Sequence, residues 1–250
     1  MPPVQKIAIA FDNTENAFKY KTDKDLRQAG YLFSSMGFQW LVNLGTRLTP
    51  WAIKSGLPIK GIIRNTIFKQ FVGGETLEET KPVVDLLGQH KVQVILDYGV
   101  EGGEEAEAGF DHAMEQFLKV VDYAGTQPNI PFMSIKVTGM ARLGLLEKLD
   151  DLMHTRTNTL INRYNWALEQ LTDAERSEWN AVIQRMQTIS KRAAACGVGV
   201  LVDAEETWIQ DPVDALTILI MDEFNKTTAV VYNTVQLYRH DRLAFLRAML

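Results

Sequence analysis

Val200-Leu201-Val202-Asp203-Ala204-Glu205-Glu206 is the stretch whose reading decides the fold. Three aliphatic residues run directly into three acids within four positions. An apolar run that ends abruptly in charge is the pattern of a strand buried on both faces of a parallel sheet. In such sheets the chemistry collects beyond the carboxyl ends of the strands. Working outward, this strand spans Gly197 to Asp203, and three similar runs accompany it: Val92 to Tyr98, Phe132 to Thr138 and Ala229 to Leu237. β-branched residues dominate them and helical stretches lie between them. Strands that alternate with helices predict a parallel sheet.

The helices carry their own punctuation. Glu104 to Ala124 places Phe110, Met114, Phe117, Leu118 and Val121 on one face. Asp173 to Cys196 starts with the capping box Thr172 and Glu175. The last helix begins near Asp241. Before residue 90 no strand is expected. Thr22 or Asp23 caps a helix through Phe33, helical patterns cover Leu41 to Lys54 and Ile59 to Phe71 with a break near Gly56 and Pro58, and Thr76 with Glu79 predicts another capping box. The expected organisation is therefore an all-helical region over 1–90, followed by about four β/α units over 91–250.

Composition narrows the function class. Of the 250 residues, 46% are hydrophobic and 23% charged, which is ordinary for a globular chain. The net charge of −5 and the absence of a basic run argue against a nucleic-acid partner. The one cysteine, Cys196, excludes an internal disulfide and reads as a small buried helix-end residue in a reducing compartment. Met1 to Ala10 fits neither a secretory nor a transit signal, and no run of about 18 apolar residues is present. A cytoplasmic location follows as the expectation.

Polar residues at the strand ends are the candidate site. Lys136 lies between apolar neighbours in Met133-Ser134-Ile135-Lys136-Val137-Thr138. A lysine in such surroundings reaches solvent at an edge or points into a barrel mouth beside a carboxylate. Asp203, one strand on, is the expected partner. Asn233 and Gln236 lie in Val231-Tyr232-Asn233-Thr234-Val235-Gln236-Leu237-Tyr238 and need hydrogen-bond partners if buried. A neutral amide there also suits the edge of a heterocycle. Asp97, Asp203, Glu205 and His240 have suitable chemistry for a hard metal but no ligand spacing to support one, and His90, His112 and His154 read as surface or cap residues. Gly73-Gly74 and Gly102-Gly103 are too weak for phosphate loops, and neither a dinucleotide fingerprint nor a P-loop is present. Residues alone leave a flavoenzyme and a Schiff-base lyase using Lys136 equally open.

Three segments in order resemble the proline dehydrogenase family: Ser134-Ile135-Lys136-Val137-Thr138-Gly139, Val202-Asp203-Ala204-Glu205-Glu206-Thr207, and Tyr232-Asn233-Thr234-Val235-Gln236-Leu237-Tyr238-Arg239. Ile95-Leu96-Asp97-Tyr98 is similar to the family's first barrel strand, so the likeness covers roughly residues 60–250. The resemblance implies a distorted (β/α)8 barrel of the TIM type that binds FAD, oxidises L-proline to pyrroline-5-carboxylate and passes electrons to a quinone at the membrane. It implies Lys136 and Asp203 at the proline pocket, both kept ionised by their pairing, and Gln236 on the flavin ring. It also implies peripheral contact with the inner membrane.

A barrel of this type has eight strands, and the sequence supplies four. The family's Arg-Gly-Ala-Tyr strand and its paired arginines for the proline carboxylate are not found. The expectation is a partial barrel with little or no activity of its own, from a truncated frame, a fragment or a split gene. A complementing chain or a second copy would cover its open edges; a non-catalytic half-domain is the reading outside enzymes.

Overall fold

The computed structural model describes residues 11–99 and 107–249. The readings of Met1 to Ala10, of Gly102-Gly103 and of a helix start at Glu104 lie outside the described residues. The chain divides into two compact units, Met1–Val92 and Gln93–Leu250.

The first unit is helical throughout its described residues. It contains α1 (Thr14–Ala17), α2 (Asp23–Met36), α3 (Gln39–Lys54), α4 (Lys60–Ile63), a π-helical turn Arg64–Phe68, α5 (Lys69–Phe71) and α6 (Leu77–Gln89). Thr22 caps α2 in a full capping box with Asp25, and the helix continues past the expected end at Phe33. Gly56 takes a φ of 73°, which a residue without Cβ tolerates, and breaks the chain after α3 as the sequence predicts. The box expected at α6 is only half formed. Thr76 accepts from the Glu79 backbone at 3.3 Å. The Glu79 carboxylate instead turns to the Glu75 N–H at 3.0 Å and to Arg64 at 2.8 Å.

The second unit holds β1 (Ile95–Asp97), α7 (Glu107–Gly125), β2 (Phe132–Ile135), α8 (Leu143–His154), α9 (Leu160–Glu169), α10 (Asp173–Cys196), β3 (Gly199–Val202), α11 (Gln210–Phe224), β4 (Val231–Asn233) and α12 (Arg242–Met249). The four strands form one parallel sheet in the order β1-β2-β3-β4. Sequential parallel order with a helix after each strand is the arrangement of successive units in a (β/α)8 barrel. Each strand is shorter than its apolar run, because the run continues into the turn beyond the last ladder bond.

Register decides which residues share a face. Asp97 pairs with Ser134, Ser134 with Leu201, and Leu201 with Tyr232. Side chains alternate with period two. Leu96, Met133, Ile135, Val200, Val202 and Val231 therefore face the helices and are buried. The opposite face carries Ile95, Asp97, Phe132, Ser134, Gly199, Leu201 and Tyr232, and is far more open. Gly199 is required there. A Cβ at this position would lie 2.4 Å from the Phe132 ring, and its absence lets Phe132 and Tyr232 meet edge-on with centroids 5.5 Å apart.

The helix layer is anchored by α10. Its capping box is complete, and Gly197 closes it with a φ of 68°. Trp179, Val182, Met186, Ile189 and Ala193 form its buried stripe. The Trp179 indole N–H donates to the Tyr164 hydroxyl at 2.7 Å, and burial pushes that phenol up to about 12. Phe110, Ala113, Phe117, Val120, Val121 and Ala124 form the buried stripe of α7; the predicted Met114 and Leu118 lie at its margins. Cys196 ends α10 half-buried, not fully buried.

Glu175 joins the cap to an ion pair. It accepts from the Thr172 N–H and hydroxyl at 2.9 and 2.8 Å and from Lys148 at 2.7 Å. The Lys148 hydrogen bond and then the Thr172 bonds hold its carboxyl at about 2, below the ordinary 4.5. A folded value below the unfolded one gives stability that is complete above 4.5 and lost as pH falls towards 2. Glu175→Ala should therefore lower the unfolding free energy by about 1 kcal/mol at neutral pH. Urea titrations at descending pH should show the difference from the parent protein closing within that window.

Candidate active site

Lys136 is the first residue beyond β2. Its backbone stays extended, with φ −111° and ψ 135°, so it continues the alternation from Phe132 and Ser134 onto the open face. The chain then bends through a 3-10 turn, Val137–Gly139, closed by the Gly139 N–H to the Lys136 carbonyl at 3.1 Å. Asp203 stands in the same position beyond β3. Its N–H extends the ladder by one bond to the Ile135 carbonyl at 2.9 Å, and by the same alternation it follows Leu201. Three charged side chains from three successive strands thus share one face: Asp97, Lys136 and Asp203.

The electrostatics differ from the sequence expectation. Lys136 Nζ lies 3.7 Å from Asp97 Oδ2, so Asp97 joins Asp203 as a carboxylate beside the lysine. Asp203 is not simply held ionised by Lys136. Burial raises its pKa most, the like charge of Asp97 raises it further, and Lys136 offsets only part.

Gln236 lies in the turn after β4, three positions beyond Asn233 and outside the strand. Its Nε2 donates to the Glu205 carbonyl at 2.9 Å, while its Oε1 receives only a long contact from Arg239 at 3.4 Å. An amide offers two N–H groups and two lone pairs. One N–H and most of the acceptor capacity are left for another group. Asn233 turns the other way: its Nδ2 donates to Asp214 at 2.9 Å, beneath the sheet.

Sequence reading passed over that buried layer. Asp214, 1% exposed, accepts from Gln210 Nε2 at 2.9 Å and from Arg242 Nη1 at 2.5 Å. Burial still raises its pKa despite these bonds. The signal was available, since Pro212-Val213-Asp214-Ala215-Leu216 encloses a charge in apolar residues just as β2 encloses Lys136. Among the described residues, the side chains that gather as metal ligands would are Asp150, His154 and Asp211, a different set from that weighed in the sequence. Arg163 sits 2.8 Å from Asp211 and already balances charge there. His154 is an exposed residue at the end of α8, as expected from the sequence, and its ring lies 2.8 Å from the Asp150 carbonyl and 3.0 Å from the Asp150 carboxylate.

A sequential parallel sheet with ionisable groups gathered past its carboxyl ends defines an α/β enzyme of the barrel class. The chain belongs to the proline dehydrogenase family, whose sequence profile matches residues 81–250. It is 31% identical over 204 residues to the carbapenem antibiotics biosynthesis protein CarD of Pectobacterium carotovorum subsp. carotovorum, covering 81% of this chain and 50% of that one. It is 28% identical over 233 residues to proline dehydrogenase 1, mitochondrial, of Arabidopsis thaliana, covering 80% of this chain and 46% of that one. The chain thus spans about half the length of these curated relatives. Its fold is similar to the crystal structure of proline utilization A from Bdellovibrio bacteriovorus, with a TM-score of 0.55 at 15% identity over 76% of this chain and 19% of that one.

The opposing influences on Asp203 are separable. In Asp97→Asn its carboxyl should titrate at lower pH than in the parent, and in Lys136→Met at higher pH. Carbon-detected NMR titration of the side-chain carboxyls reads both shifts; an Asp203 midpoint indifferent to Asp97 would leave burial as the sole cause.

Proposed function

We propose that this chain carries the proline-side and flavin-side strand ends of an FAD-dependent proline dehydrogenase, oxidising L-proline to pyrroline-5-carboxylate with a quinone as final acceptor. Family membership supports the reaction class. The observation that carries the reading is the placement of Lys136, Asp203 and Gln236 beyond three successive strand ends, with the Lys136 charge acting on Asp203 and Gln236 bonded to the loop that begins at Asp203. The donor set fits a flavin: Gln236 keeps an N–H and acceptor capacity for a ring edge that presents both.

When bound, FAD supplies the acceptor for a hydride from the ring carbon next to the proline nitrogen. The chain's own residues position the substrate. The Lys136 ammonium, which also meets the exposed Asp97, attracts the proline carboxylate. Asp97 and Asp203 make the rim acidic, which favours the cationic amine end of the amino acid over a simple anion. Burial raises the Asp203 carboxyl above the ordinary aspartate range, so it holds a proton more readily than an exposed aspartate.

A Schiff-base lyase would use the same lysine, and the family finding favours the dehydrogenase. Among the described residues no helix is long and apolar enough to cross a membrane.

Titrating FAD into the purified protein should quench flavin fluorescence saturably. Gln236→Leu should weaken binding about tenfold, the worth of one buried hydrogen bond. L-proline should perturb the absorbance of the bound flavin by binding beside it, and Lys136→Met should raise the proline concentration needed. Absence of flavin binding, or a borohydride-trapped carbonyl adduct on Lys136, would overturn the assignment.

A further inference from the structure

Glu205 is the one member of the acidic strand end whose polar groups are all engaged, and each engagement reaches a different element. Its carboxylate receives both donors of Thr138: the backbone N–H at 2.9 Å on Oε1 and the hydroxyl at 2.6 Å on Oε2. Its own N–H donates to Gln210 Oε1 at 2.6 Å. Its carbonyl accepts from Gln236 Nε2 at 2.9 Å. One residue therefore ties the turn after β2, the start of α11 and the turn after β4 together.

Beyond the last ladder bond at Asp203, the segment Ala204 to Glu206 has no regular secondary structure, so no ladder fixes its course. Gln210, 1% exposed, is itself anchored to the buried Asp214 and through it to Arg242. The Glu205 clamp thus rests on a rigid base. Burial pushes the Glu205 carboxyl up, and the two Thr138 bonds offset only part of that cost. A well-packed neutral side chain would avoid the penalty, so the carboxylate contributes geometry at the expense of stability.

We infer that Glu205 is the positioning residue of the site, coupling the Lys136 turn to the Gln236 turn so that substrate-side and flavin-side groups keep one spacing. The coupling stands on hydrogen bonds in the structure; its consequence for catalysis rests on the proline dehydrogenase reading. Both carboxylate oxygens hold Thr138, so the role assigned to Glu205 is positioning. The neighbouring Glu206 is exposed and provides a control.

The test is amide hydrogen exchange on the full chain, with FAD affinity as a second readout. In Glu205→Ala, exchange should accelerate at Thr138 and also at Arg239, whose N–H closes the Gln236 turn at 2.9 Å, each by about tenfold or more. Amides of Met133 and Val200 in the sheet should keep their protection. Glu205→Gln, which retains an acceptor for the Thr138 N–H, should recover much of the protection, and Glu206→Ala should match the parent. FAD binding should weaken in Glu205→Ala and recover in Glu205→Gln. If only Thr138 loosens while Arg239 stays protected, Glu205 is a local cap and the inference fails; unaltered FAD affinity in Glu205→Ala, beside normal binding by the parent, overturns it equally. Should Glu205→Ala not fold, Thr138→Val removes one arm of the clamp and must loosen Arg239 in the same way. A parent protein that binds no flavin refutes the proposed function, while the exchange pattern still decides the coupling.

Discussion

Everything at the site depends on the sealed face of a four-stranded parallel sheet. Met133, Ile135, Val200, Val202 and Val231 have no measurable exposure, because α7, α10 and α11 cover that side. A slip of one residue in any strand would turn these side chains outward and bring polar ones under the helices. Each buried aliphatic contributes roughly 1.5–3 kcal/mol through its removal from water, so the register is strongly determined. The same alternation delivers Asp97, Lys136 and Asp203 to the open face. The chemistry of the rim is thus a consequence of packing on the far side of the sheet.

The carboxylates divide by environment. Glu175 lies at the surface, holds a cap and a lysine, and titrates low. Asp203, Glu205 and Asp214 lie where burial outweighs their partners, and titrate high. Raised carboxyls reduce stability as pH rises through their folded values. Three of them within one strand end and its following helix make this the part of the sheet where stability gives way to geometry, as functional sites commonly do.

Much of the architecture was legible. Four apolar β-branched runs separated by helices define a sequential parallel sheet, and the cap at Thr22 and the box at Thr172 are local enough to read directly. Ends were read less well. Lys136 and Gln236 lie past their strands, since β-forming sequence persists beyond the last ladder bond, into a buried turn after β2 and a largely exposed one after β4. The box at Thr76 is half formed because Arg64, twelve positions earlier in the chain, draws the Glu79 carboxylate away. The Asp214–Arg242 pair went unread because its two members are 28 positions apart and meet only when the start of α12 reaches α11.

By itself the sequence determined the class of fold, the order of the strands and the short list of polar residues at their ends. Period and propensity are local properties, and family likeness rests on residue identity. Tertiary structure decided who meets whom. It placed Asp97 beside Lys136, set burial against charge at Asp203, and gave Glu205 four hydrogen bonds to three separate elements. Those outcomes depend on distances across the sheet and on how much water remains around each group, neither of which is written in any one stretch of chain. The acidic strand end is therefore three different residues in space: Asp203 on the rim, Glu205 locked within the loop, and Glu206 exposed.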